Sequence, residues 1–164
     1  MSHAQSGVEV TLNTMPHLAL PEIVPGVVTR VDTQLLRSTG GSETNAQITD
    51  TEDRAVIGEH DFLVVAVNMT AGVCTAVPLF PKSSPGSAPL TPDKRQGDVG
   101  TWLTQDVHYS RWQHWRIPLS ALSIASSNDP GDVGNRRSYA LGDADMLQDL
   151  ANWATRNRCE FRGV

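Results

Sequence analysis

The segment Asp61–Phe80, DFLVVAVNMTAGVCTAVPLF, constrains the fold more than any other part of the chain. Two apolar runs, Phe62–Val67 and Val73–Phe80, flank the polar stretch Asn68–Gly72, which reads as the reversal between two strands. Neither run alternates strictly between apolar and polar residues. Both faces of the hairpin are therefore expected to be covered. A hairpin buried on both faces belongs in a barrel or a sandwich. The expected fold class is mainly β, a β-dominant α+β chain built as a small barrel with a C-terminal helix and long polar loops.

The remaining blocks fit around that hairpin. Residues 1–24 read as a polar N-terminal arm and residues 25–164 as one domain, a length with room for a core. Val27, Val28, Val31 and Leu35 suggest a first strand entering after Gly26. Arg37–Arg54 reads as a long surface loop. Residues 81–100 hold four prolines and three glycines, which leaves no central strand there. Trp102, Val107, Tyr109, Trp112, Trp115 and Ile117 favour strand in the block Thr101–Leu119, and Leu119–Ile124 suits a turn or half-helix. A turn-rich loop, Asn128–Gly134, and a short strand within Arg137–Leu141 follow. The clearest helix starts at Asp143 as N-cap. Met146, Leu147, Leu150, Trp153 and Ala154 form its apolar stripe, with Arg156 and Arg158 at its far end. Gly-Asp-Val-Gly occurs at 97–100 and at 131–134, but the flanking residues differ, so these read as two similar turns.

Composition narrows the function. The net charge is −5, so no strongly basic surface of the kind that marks a nucleic-acid binder is expected overall, though a local basic patch is compatible. No apolar run approaches the length of a membrane span, and the first residues lack a basic segment followed by an apolar one. Cys74 and Cys159 are the only cysteines, consistent with reduced thiols in the cytoplasm. Asn68-Met-Thr70 matches a glycosylation sequon but falls on the hairpin turn. No P-loop, dinucleotide fingerprint or nucleophile elbow is present.

Unusual side chains concentrate in Asp106–Pro118, DVHYSRWQHWRIP. As one strand it would present His108, Ser110, Trp112, His114 and Arg116 on one face. With Arg111 beside them, these aromatic and cationic groups suit stacking on bases and steering of phosphates. The competing reading packs the tryptophans in the core and leaves the charges at a wet edge. His108 and His114 would stand roughly 20 Å apart on an extended strand, so neither a metal nor another cofactor is expected. A hydrolase using His60 or His108 with a nearby carboxylate lacks a convergent set.

The block order resembles the PemK/MazF-like toxins, small barrels of the SH3-like kind. A first strand follows a glycine in Pro25-Gly-Val-Val-Thr-Arg30. An apolar strand, Phe62–Val67, precedes one with a Val-Pro step, Ala76-Val-Pro-Leu79. An Arg-Ile pair leads into a Leu-containing turn, Arg116-Ile-Pro-Leu-Ser-Ala-Leu122, and a helix closes the domain. The resemblance implies RNA binding, endoribonuclease activity, a homodimer and an antitoxin-like protein partner. In family members that cut RNA, an arginine precedes the first hairpin strand and a threonine or serine follows the second. The matching positions here are His60 and Phe80, with Arg54, or Arg30 and Arg37, as candidate replacements for the arginine. His60 and Arg54 are thus the candidate catalytic residues, and His108, Arg111, Trp112, His114 and Arg116 the candidates for binding single-stranded RNA or a partner. The alternative is a non-catalytic protein-interaction module, such as an accessory protein of a phage or mobile element.

Overall fold

The computed structural model describes residues 17–46, 54–97, 101–126, 138–139 and 144–164. The expected Asn128–Gly134 loop, the second Gly-Asp-Val-Gly turn, most of the first one and the Asp143 cap lie outside these residues. So do residues 1–16 of the arm and 47–53 of the polar loop.

The central hairpin forms where the apolar runs place it. Strands β3 (Glu59–Asn68) and β4 (Val73–Phe80) pair antiparallel, with Phe62 opposite Pro78 and Asn68 opposite Val73. The side chain of Asn68 accepts a hydrogen bond from the Ala71 amide at 3.0 Å, and Gly72 supplies a φ of 69° that closes the turn. A register shift between Val64 and Ala66 bends β3. Both faces are buried. Phe62, Val64, Cys74 and Ala76 enter one apolar cluster, while Leu63, Val65, Val77 and Leu79 enter a second on the opposite side.

Around this hairpin the chain builds a β-rich antiparallel sheet. Strand β1 (Val27–Asp32) pairs with β3 on one side and with β8 (Ser138–Tyr139) on the other. Strand β7 (Trp115–Pro118) pairs with β4, then with β2 (Glu43–Thr44), which also receives β9 (Arg162–Gly163). Strand β6 (His108–Ser110) pairs with the last residues of β4 and carries β5 (Ser87–Pro89) at its outer edge. The path runs β8-β1-β3-β4-β7-β2-β9, and among the described residues no ladder joins β8 to β9. Helices α1 (Thr33–Thr39) and α2 (Leu119–Ala125) contribute Leu36, Leu119 and Leu122 to the first cluster. Helix α3 (Ala144–Arg156) lays Met146, Leu147 and Leu150 on the second. No helix among the described residues is long and apolar enough to cross a membrane.

Four local readings change. Arg37–Arg54 is not one surface loop, since its described part holds the end of α1 and strand β2, with Ser42, Thr44 and Ala46 buried. The first strand ends at Asp32, because its carboxylate accepts the Gln34 amide at 2.9 Å and caps α1, leaving Leu35 on a helix and 39% exposed. At the amino end, Leu18 and Ile23 are buried, and Leu18 is tied by its amide to Ser126 Oγ at 2.8 Å, so the chain packs onto the domain before residue 25. The expected strand through Asp106–Pro118 is broken. It is two strands, β6 and β7, separated by the turn Arg111–His114. The shared face for His108, Trp112, His114 and Arg116 does not exist, because strand alternation stops at Ser110.

The proline-rich segment 81–100 contributes an edge strand, as its prolines allow, and one buried cation. Arg95 is 7% exposed and lies 5.5 Å from the centre of the Trp102 ring. Its guanidinium donates to the carbonyl oxygens of Leu90 (2.6 and 2.8 Å), Trp102 (2.7 Å) and Gln105 (2.7 Å). Burial lowers its pKa, and the Asp106 charge acts the other way. The fork thus satisfies three carbonyls of a segment with little regular structure. Arg95→Met is expected to cost about 3 kcal/mol or more in urea unfolding, because those buried carbonyls lose their donor. A loss below about 1 kcal/mol would show that the guanidinium is dispensable.

Candidate functional site

The turn Arg111–His114 is the centre of the site, and side chains hold it in shape. Ser110 Oγ accepts the Gln113 amide at 2.8 Å. Asn45 spans the turn, its Nδ2 donating to the Trp112 carbonyl and its Oδ1 accepting the His114 amide, both at 2.8 Å. Gln113 reaches the other way. Its Oε1 accepts from Trp115 Nε1 (2.8 Å) and from the Val56 amide (3.1 Å), and its Nε2 donates to the Arg54 carbonyl (3.1 Å). One amide side chain thereby docks the 54–56 segment against the turn, and so places Arg54.

Trp112 is 41% exposed yet seated on backbone. Gly86, at φ 78°, lies against its indole, and a Cβ there would fall 2.5 Å from Cδ2 and Cε3. Only glycine permits both that backbone angle and that approach. The Arg111 amide donates to the Gly86 carbonyl at 2.9 Å, which holds the two segments together.

His114 is fully buried. Its Nε2 lies 2.7 Å from the Leu150 carbonyl oxygen and its Nδ1 3.2 Å from that of Trp112. A neutral imidazole donates through one nitrogen, and the shorter contact assigns that proton to Nε2. The ring stacks on Trp153 at 5.6 Å and 8°. His114 therefore fastens α3 to the turn and is not a surface binding group. Burial lowers its pKa, more strongly than the two carbonyls raise it, and Arg116 lowers it further.

These elements enclose a cleft of about 570 Å³ whose lining includes Arg54, Phe80, Trp112, Gln113, Trp153 and Cys159. Phe80 also lines a second, smaller cleft of about 290 Å³ with Arg30, His60, Asp61, Trp102 and Asp106. The His60 ring packs edge-on against Phe80, centroids 5.9 Å apart. Arg54 and His60 thus belong to different clefts with Phe80 common to both. The arginine that accompanies His60 is Arg30, drawn in by the β1–β3 register and held near Glu59 (3.5 Å) and Asp61 (3.4 Å). Burial lowers the His60 pKa and the Arg30 charge adds to this, against a backbone hydrogen bond at Leu79 and the Asp61 charge.

The other sequence candidates scatter. His108 stands across from Phe80 on β6, its Nδ1 buried without a partner among the described residues. Arg116 points to a separate groove of about 360 Å³ and lies 3.6 Å above the Phe161 ring. Arg111 is exposed next to Trp112. Of the expected binding set, Trp112 is the one that lines the large cleft. Asn45, Gln113 and Gly86 escaped sequence reading, because each acts on backbone that is distant in the chain. The described residues contain no group of His, Cys, Asp and Glu able to hold a metal ion. Cys74 is buried, and burial pushes its thiol up to about 12, whereas Cys159 borders the cleft.

No family model, curated protein or solved structure matches this chain.

Two outcomes follow from this geometry. His60 and His114 have folded pKa values below their ordinary 6.5. The unfolded chain then takes up protons more readily, so stability is full above about pH 6.5 and falls as pH drops below it. Thermal melts should show Tm declining from about pH 7 to about pH 5, with a shallower decline in His114→Gln, which keeps a donor for Leu150. An unchanged slope in that variant would remove His114 from the account. Gly86→Ala should dislodge Trp112 and cost about 1–2 kcal/mol through the positive φ. A near-UV circular dichroism spectrum identical to that of the parent would contradict the seating of the ring.

Proposed function

We propose that the protein binds single-stranded RNA in the cleft walled by Phe80, Trp112 and Trp153, and does not cut it. The observation that carries this reading is an exposed tryptophan fixed on Gly86 at the mouth of a cleft that also holds an arginine. Aromatic faces held in place offer stacking platforms to unpaired bases at low entropic cost, and a cation at the rim suits the phosphates. The block order shared with PemK/MazF-like proteins supports RNA as ligand, and with it a cytoplasmic setting, a homodimer and an antitoxin-like partner. Cleavage is disfavoured because His60 and Arg54 open into different clefts, and because Phe80 has no group to move a proton. The net charge of −5 supports a second reading, in which a protein partner fills the same cleft.

Fluorescence anisotropy with a labelled single-stranded RNA at low salt tests the proposal. Trp112→Ala should weaken binding by about 5- to 150-fold, the equivalent of ~1–3 kcal/mol for one stacked base. Bound RNA should also slow alkylation of Cys159. No binding at concentrations on the order of 100 μM, or equal affinity in the variant, would transfer the cleft to the protein-partner reading.

A further inference from the structure

We infer that this cleft holds RNA by stacking and charge without reading base identity; the inference rests on the RNA reading above. Base discrimination needs paired donors and acceptors set rigidly toward a base edge, typically an Asn or Gln offering its oxygen and nitrogen together. The cleft contains both residue types, and the protein's own groups already hold them in place. Asn45 is held at both ends, its Oδ1 accepting the His114 amide and its Nδ2 donating to the Trp112 carbonyl, each at 2.8 Å, which fixes its plane to the turn and leaves one lone pair and one N–H. Gln113 is 8% exposed, with its Oε1 accepting two hydrogen bonds and its Nε2 donating one. Turning either amide toward a ligand would release the turn that carries Trp112.

The hydroxyls in the lining offer little more. Ser87 Oγ donates to the Ser84 carbonyl at 2.7 Å and accepts the Ser84 amide at 2.9 Å. Ser110 Oγ already accepts from Gln113. The hydroxyl protons of Ser84 and Ser110 remain for a ligand, and a hydroxyl serves as donor or acceptor to any base. The aromatic surfaces of Phe80, Trp112 and Trp153 are equally tolerant, since every base has a π-face. Among the described residues of the lining, Arg54 is the one with a charge to read guanine. Arg54 is exposed, and Gln113 bonds its carbonyl rather than its side chain, so under this reading the guanidinium serves the phosphates.

Anisotropy titrations with uridine, cytidine and adenosine tracts of equal length, and with a uridine tract carrying one guanosine, test this. Affinities should agree within about fivefold, with adenosine tightest because a purine offers more stacking surface. Arg54→Gln should weaken all four RNAs alike and reduce the salt slope by about one. A preference above about tenfold for any tract, or a loss in Arg54→Gln confined to the guanosine-bearing RNA, overturns the inference and leaves RNA binding standing. Failure of all four to bind removes the RNA reading and this inference together.

Discussion

Phe62, Leu63, Val64 and Val65 send successive side chains into two different apolar clusters, and among the described residues no other four consecutive residues of the sheet do so. A strand that is apolar on both faces has to be covered on both. Helices α1 and α2 close one side, and α3 with the 90–107 segment closes the other. Phe62 meets Trp115 edge-on at 5.7 Å, an arrangement that adds about 0.5–1.5 kcal/mol to the area the two rings bury. The position of Trp115 in turn decides where Gln113 and the preceding turn lie. Phe80, the last residue of β4, stands where the covered hairpin runs out, and both clefts open there.

Outside the sheet, polar side chains do the work that ladder bonds do within it. Arg95 holds the carbonyls of Leu90, Trp102 and Gln105, Asn45 holds 111–114, Gln113 holds 54–56, and Ser126 holds the incoming chain at Leu18. Backbone groups away from water must be paired, and in irregular segments a side chain is the available partner. This has a functional consequence. A loop fixed by buried side chains can present an aromatic ring at the surface without the ring swinging freely. The same bonds fix the planes of the Asn45 and Gln113 side chains, so these amides hold the turn rather than turning toward the cleft.

The hairpin, its turn and helix α3 were legible because each depends on residues close together in the chain; the edge strand at 87–89, within a stretch read as a loop, was not. The Phe62–Val67 run, the Asn68–Gly72 reversal and the Met146–Ala154 stripe carry their own periodicity. The break between β6 and β7 was not legible. Trp112 and Trp115 favour strand locally, and what bends the chain between them is Asn45 from almost seventy residues away. The arrangement of the candidate site residues was not legible for the same reason. His114 looked like a surface cation, but helix α3 covers it. Arg116 looked available, but Phe161 occupies it. Arg54 and His60 were paired by the resemblance to PemK/MazF-like proteins, yet they line different clefts.

Hydrophobic pattern alone determined that this chain is β-dominant, that its middle is a two-sided hairpin and that an amphipathic helix lies near its end. Burial of apolar area is additive and local enough to be read from residue order. Tertiary structure decided the site: which tryptophan stays exposed, which histidine is buried and which amides are already paired. Those outcomes hang on directional hydrogen bonds and close contacts between residues far apart in the chain, and residue order carries no trace of such meetings until the strands are in register.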